Sequence, residues 1–270
     1  PLNASYQVDP RELDQTLTRL KATPRKVIAV VANACSTATG TYDNIRELAD
    51  ICHAHNVWLH VDGCHGAPAL LSARYRHLLS GIERADSIVW DSHKMMLMPS
   101  LTTTVLFRTS ADLCQTFHQE ASYLFQRNAA EEWYNLCHRT LECTKRNFAI
   151  RLYVALKTYG EAFFAHYVTA MYDLAKEFAK LINDSPDFEL ACAPQSNIVC
   201  FRYKFNSCDD AQQTALRQAM IEHGDFYLTQ TRLPDRGVFL RTTLINPQTQ
   251  LVHLNDLLAR VRDIAASINR

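Results

Sequence analysis

"NVWLHVDGCHGAPALLSARYRHLLSGIERADSIVWDSHKMM", residues 56–96, is the stretch whose reading decides the fold. Two of its segments, VWLHVD (57–62) and SIVW (87–90), have the length and apolar content of β-strands. Each runs out into polar chemistry. Asp62 closes the first, and Asp91-Ser92-His93-Lys94 follows the second. Upstream, KVIAVVA (26–32) is a continuous apolar run of strand length, which predicts a strand buried on both faces. Between it and VWLHVD, the segment YDNIRELADICHAHN places Ile45, Leu48, Ala49 and Cys52 at helical spacing. TTTVLF (102–107) supplies a fourth strand. Strand–helix–strand order predicts an α/β domain, its sheet mostly parallel with helices on both faces.

Working outward, DPRELDQTLTRL opens a helix with Asp9 as N-cap, Pro10 at the first helical position and Glu12 completing a capping box. Past about residue 108 the texture changes. Helices are predicted over 111–120 and roughly 144–183, the second interrupted at Gly160. NIVCFRY (197–203) and GVFLRTT (237–243) read as strands, and VHLNDLLARVRDIAASI closes the chain as an amphipathic helix. These features divide the chain into a large domain over 1–159 and a smaller C-terminal α+β domain over 160–270. There are no internal repeats or low-complexity tracts.

Composition narrows the function. The 270 residues are 47% hydrophobic and 21% charged, as in ordinary globular chains. Lys plus Arg and Asp plus Glu number 28 each, so no nucleic-acid or membrane-surface partner is expected. No apolar run approaches the ~20 residues that span a bilayer. Nine scattered cysteines, an odd number without a CxxC pair, suit free thiols in a reducing cytoplasm. The chain opens on Pro1 and runs at once into a helix that reads as mid-domain, so a fragment or processed product is expected.

In open α/β sheets, ligands bind beyond the carboxyl ends of the strands. Thr37 (in ACSTATG), Asp62 and Lys94 all fall at such places. A lysine belongs on a solvated surface; one in a drier setting loses its proton more readily and becomes a nucleophile. An amine to condense with an aldehyde, an acid to keep a pyridine nitrogen protonated, and hydroxyls for a phosphate together suit pyridoxal 5'-phosphate. His93, beside the lysine, could bond the phosphate or steer the substrate.

The ordered set NVWLHVDGCHGAPALL, SIVWDSHKMM, EASYLFQ and LRTTLINP resembles the group II pyridoxal-phosphate-dependent amino-acid decarboxylases, whose hallmarks are HVDAA-type and (N/D)xHK-type segments. The resemblance covers essentially the whole chain. It implies the fold-type-I architecture of pyridoxal-phosphate-dependent transferases and a homodimer with active sites near the subunit interface. It also implies that Lys94 carries the cofactor, that Asp62 pairs with its ring nitrogen, and that Thr37 lies near that carboxylate. Cys64 takes the place of an alanine packing on one ring face, and His93 matches the histidine before the lysine. Asp91 stands where many members have a phosphate-binding Asn, and Cys35 where Gly is common. Tyr134, in EEWYNLC, aligns with a mobile-loop tyrosine that protonates the substrate carbanion, and Arg241 with an arginine that binds the α-carboxylate. The family's ring-stacking histidine and main phosphate cradle are expected upstream of Pro1. YLFQ after EAS is most like the glutamate and cysteine-sulfinate branch, which favours an acidic substrate. Aminotransferase or lyase chemistry on the same fold, or a truncated non-catalytic chain acting as an assembly partner, are the alternatives.

Other groups have plainer readings. His53, His55, His60 and His65 crowd the region around Asp62, but His53 and His55 face apart on their helix, and His60 suits packing or a hydrogen bond better than a metal. Met95, Met96 and Met98 read as packing, and Cys64 as a packing atom rather than a nucleophile.

Overall fold

The computed structural model describes residues 1–117, 139–142, 145–206 and 210–268. Two four-stranded sheets organise the chain. In the first, β1 (Ala29–Asn33), β2 (Trp58–Asp62) and β3 (Ser87–Asp91) run parallel, and β4 (Thr103–Phe107) adds antiparallel at the edge. In the second, β5 (Phe188–Leu190), β6 (Ile198–Tyr203), β8 (Gly237–Thr243) and β7 (Thr229–Leu233) pair antiparallel in that order. The mostly parallel α/β sheet predicted from strand order is therefore present, followed by an antiparallel sheet with its own helices.

Helix α1 (Pro10–Lys21) starts where expected, with the Asp9 carboxylate accepting from the backbone N–H groups of Arg11 and Glu12. The expected capping box does not close. The Asp9 backbone N–H donates to the Pro1 carbonyl at 3.2 Å, which leaves the Glu12 side chain no orphan donor to reach back for. Helix α2 (Ile45–His55) buries the predicted Ile45, Leu48, Ala49 and Cys52, and ends at Asn56 in the left-handed conformation.

A second expectation is overturned. β1 is not buried on both faces: Val30 and Ala32 are buried against the α2 side, whereas Ala29 and Val31 are exposed, Val31 by 51%. β2 alternates in the same way, with Leu59 and Val61 inside and Trp58, His60 and Asp62 half-buried. The apolar run at 26–32 has the composition of a two-sided strand, but among the described residues its second face is approached only at one corner. There, Phe117, just past α3 (Ser110–Thr116), meets Phe107, which in turn meets Trp58. The strand with four successive buried residues is β6, Ile198 to Phe201.

Helix α4 (Ala149–Asn183) is broken at Gly160, where φ is +76° and ψ 165°. Its second half buries Tyr167, Val168, Met171, Tyr172, Ala175 and Phe178 in the same core that takes in both sheets. Helices α5 (Asp210–His223) and α6 (Leu251–Ile268), with the last turns of α4, cover the second sheet.

Candidate active site

The open face of the first sheet carries the chemistry. In a parallel pair, registered residues share a face, so Asn33, Asp62 and Val89 lie side by side. Asp91 is two residues beyond Val89 and returns to that face, opposite Thr103 of β4. The Asp91 carboxylate accepts from the Thr103 hydroxyl at 2.6 Å and pairs with Lys94 Nζ at 2.8 Å. The lysine side chain is 36% exposed and that of Asp91 only 10%. Burial pushes the Asp91 carboxyl up, but the hydrogen bonds from Lys94 and Thr103 and the lysine charge outweigh it and hold it below its ordinary value.

Why a lysine sits in DSHKMMLMP now has a mechanical answer. Met95 and Met96 on its far side are fully buried, Met95 in the main core and Met96 against Ala155 and Phe164 of α4. They bolt down the turn while the amine stays at the surface of the open face. Ser92, also in this turn, is fully buried, and its hydroxyl has no hydrogen-bond partner among the described residues. His93 Nδ1 lies 3.0 Å from the Thr102 carbonyl, and its Nε2 is 3.8 Å from Asp91 Oδ2.

The Asp62 and Asp91 strand ends are laced together. The Cys64 backbone N–H donates to Asp62 Oδ1 at 3.1 Å, and its carbonyl accepts from the Asp91 N–H at 3.2 Å. Burial, then the Asp62 carboxylate, push the Cys64 thiol up to about 12, so it stays a thiol at neutral pH. Arg241, on β8, reaches across from the second sheet. Its Nε donates to the Thr37 carbonyl at 2.8 Å and its Nη1 to the Thr243 hydroxyl at 2.9 Å. The Thr37 turn is further held by Tyr42, whose N–H donates to Gln195 Oε1 at 2.7 Å. Two subsets of the anticipated residues therefore converge: Asp62, Cys64, Asp91, His93 and Lys94 on the first sheet, and Thr37 with Arg241 at the join with the second. Tyr134 lies outside the described residues, as does EASYLFQ.

Three of the four crowding histidines have other partners. His55 meets Asp14 at 2.7 Å, His60 the Ser87 hydroxyl at 2.7 Å, and His65 Asn197 Oδ1 at 2.7 Å. Among the described residues no group of three metal-ligating side chains exists, and no helix is long and apolar enough to cross a membrane. Reading the sequence misses Asn197 altogether. Its only signal was a polar residue heading the apolar run IVCF.

The donor set suits a ligand with an aldehyde, a basic ring nitrogen and an anionic tail. Lys94 offers the amine, Asp62 a carboxylate on the same face, and the Lys94 turn a buried, unpartnered hydroxyl. Asp91 is the discordant member, a second carboxylate where an anion would be less welcome.

Comparisons with known proteins point to the same cofactor. Residues 1–204 match the family described as the pyridoxal-dependent decarboxylase conserved domain. The chain is 31% identical over 250 residues to the aromatic-L-amino-acid decarboxylase of Bacillus atrophaeus, covering 91% of this chain and 52% of that protein. It is 29% identical over 255 residues to the cysteine sulfinic acid decarboxylase of Rattus norvegicus, covering 88% and 51%. The solved structure of mouse CSAD in apo form superposes with a TM-score of 0.87 at 24% identity, over 97% of this chain and 57% of that one. That of Oryza sativa TDC with PLP and tryptamine gives 0.90 at 22%, over 99% and 56%. These two show the fold, and the chain spans about half the length of the curated relatives it matches. By sequence, the chain belongs to the pyridoxal-dependent decarboxylase family.

Proposed function

We propose that this chain carries the lysine-bearing part of a pyridoxal 5'-phosphate-dependent decarboxylase that converts an acidic L-amino acid, such as glutamate, aspartate or cysteine sulfinate, to its amine and carbon dioxide. The observation that carries the reading is the pair Lys94 and Asp62, presented on one open sheet face at the carboxyl ends of adjacent parallel strands. Named relatives include acidic amino acid and cysteine sulfinic acid decarboxylases, which supports the acidic class, beside an aromatic one.

The cofactor, when bound, supplies a sink for the electron pair left at Cα when the carboxylate departs. This chain's residues do the rest. Lys94 Nζ, once released from Asp91, would be the point at which the cofactor is held. Asp62 holds a proton at the ring nitrogen. Cys64, un-ionised, would border the bound cofactor without adding charge there. His93 and Asp91 flank the lysine, Thr37 lines the approach, and Arg241 holds the α-carboxylate. Tyr134 returns a proton to Cα, in a homodimer whose sites lie near the subunit interface, in the cytoplasm. The division at 159/160 into a cofactor-binding domain and a C-terminal domain fits this reading, and the backbone break at Gly160 supports it.

Incubation with pyridoxal phosphate tests the reading. An absorption band that borohydride abolishes is expected, with the label recovered on Lys94; a Lys94→Ala variant that keeps the band would overturn it. Supplying acidic and aromatic amino acids to the loaded protein, and measuring carbon dioxide against keto acid, then reports substrate and reaction type. Keto acid without carbon dioxide would replace the decarboxylase reading with an aminotransferase.

A further inference from the structure

One side chain touches the segments that follow Asp62, Lys94 and Arg241. Asn197, fully buried just ahead of β6, accepts from His65 Nε2 through Oδ1 at 2.7 Å. Its Nδ2 donates to the Leu244 carbonyl at 2.9 Å and to Met95 Sδ at 3.1 Å. His65 lies in the loop after Asp62, Met95 directly follows Lys94, and Leu244 lies just past Arg241 at the end of β8. We propose that Asn197 is the positioning residue of this site, a single amide clamp that fixes the Asp62 loop, the Lys94 turn and the Arg241 strand relative to one another, with His65 as its arm to the Asp62 loop. The clamp is a matter of geometry; the ligand roles of the three residues rest on the function proposed above.

The amide has no freedom left. Both its N–H groups are used, one on a carbonyl that can only accept, so flipping it would set two oxygens against each other. Oδ1 must then accept, which puts the proton of His65 on Nε2 and leaves Nδ1 as a lone pair. The histidine is kept neutral to match. Burial lowers its pKa to about 4; the Asn197 hydrogen bond opposes this, the Lys94 and Arg241 charges add to it, and Asp91 opposes it weakly. An imidazolium at this place would face two cations. A neutral amide paired with a neutral imidazole joins the three segments without adding charge beside Asp62 or Lys94.

Imidazole nitrogen NMR on the cofactor-free protein reads the clamp directly. In the wild type, His65 is expected as the Nε2–H tautomer, neutral down to about pH 5. In Asn197→Asp the carboxylate keeps the His65 contact but drops both donor bonds, and His65 is expected to titrate near or above its ordinary 6.5. Loading of pyridoxal phosphate, followed by its borohydride-sensitive band, is expected to weaken about tenfold in that variant, as for a lost hydrogen bond at a buried group. His65→Gln, whose amide can still donate to Oδ1, should load like wild type, and His65→Leu about tenfold worse. This pair decides the matter if Asn197 variants fail to fold. Ordinary titration of wild-type His65, or equal loading by the Gln and Leu variants, would overturn the clamp. Failure of the wild type to load would instead sink the cofactor reading and leave the NMR test of the clamp standing.

Discussion

Lys94 is engaged before any ligand arrives, because Asp91 Oδ2 lies 2.8 Å from its amine. The amine must leave this ion pair before it can attack an aldehyde. Asp91→Asn is therefore expected to speed borohydride-trapped loading of pyridoxal phosphate at pH 7. The pair is partly exposed and worth about 1 kcal/mol, so the gain is about fivefold; slower loading would mean that Asp91 assists attachment. Cys64 gives a second residue-scale test. With its thiol pushed up to about 12 by burial and the Asp62 carboxylate, it is expected to stay unmodified by a disulfide reagent at pH 8 while exposed Cys114 reacts. Peptide mass mapping reads the order of labelling. Much of this site was legible in the sequence because Asp62 and Lys94 announce themselves locally, each at the end of a short apolar strand. The ion pair with Asp91 depends on how the turn closes, and residue types do not show that. Asn197 was illegible for a plainer reason: its side-chain partners Met95 and His65 lie 102 and 132 residues away along the chain.

At the scale of elements, the first sheet has one packed face and one presented face, and adjacent valines measure the difference. Val30 is 9% exposed and Val31 51%. Val30→Ala is expected to cost about 2 kcal/mol from lost burial and the cavity left behind. Val31→Ala should stay within about 0.5 kcal/mol, as at other exposed sites. Urea denaturation of the two variants tests this. Equal, large losses would mean that something covers the second face in solution. Existence and order of the strands were readable from apolar runs, since β1 to β4, β6 and β8 all fall within or beside the expected segments. β5, β7 and α5 were missed. β7 reads TQTRL, whose apolar content is too low to announce a strand until β8 pairs with it. The break in α4 was readable because Gly160 adopts φ +76°, where a side chain strains the backbone whatever the space around it. Nothing lies within 4 Å of a Cβ built there, so Gly160→Ala is expected to cost about 1–3 kcal/mol from backbone strain alone, measured by the same denaturation.

For the molecule as a whole, a few polar contacts tie the loops of the first sheet to α4 and to the second sheet. Tyr42 and Tyr172 share a hydroxyl–hydroxyl hydrogen bond of 2.7 Å, Arg241 caps the Thr37 carbonyl, and Asn197 holds His65. Such contacts make stability depend on pH in a window that can be assigned. His65 falls from an ordinary 6.5 to about 4 on folding, mainly through burial, so the unfolded chain binds a proton in that interval that the folded chain refuses. Stability therefore declines as the pH drops from 6.5 towards 4, by up to about 3 kcal/mol. His60, also lowered by burial, adds to the same slope. The carboxylates act elsewhere. Asp187 is held low by hydrogen bonds from Arg262; burial pushes Glu189 up, but Arg202 and Arg236 more than offset it. What these two contribute is kept above their unfolded values near 4 and lost only as the pH falls through their lower folded values. Between pH 6.5 and 4.5 the histidines are therefore the shifted groups among the described residues, and the difference between wild type and His65→Gln isolates one of them. Urea unfolding at half-unit steps of pH should show the wild type losing stability across that interval and the variant losing much less. Parallel curves would mean that His65 takes up its proton as easily in the folded chain as in the unfolded one, and that the join between the sheets is looser and wetter than a 2.7 Å contact to a buried amide implies.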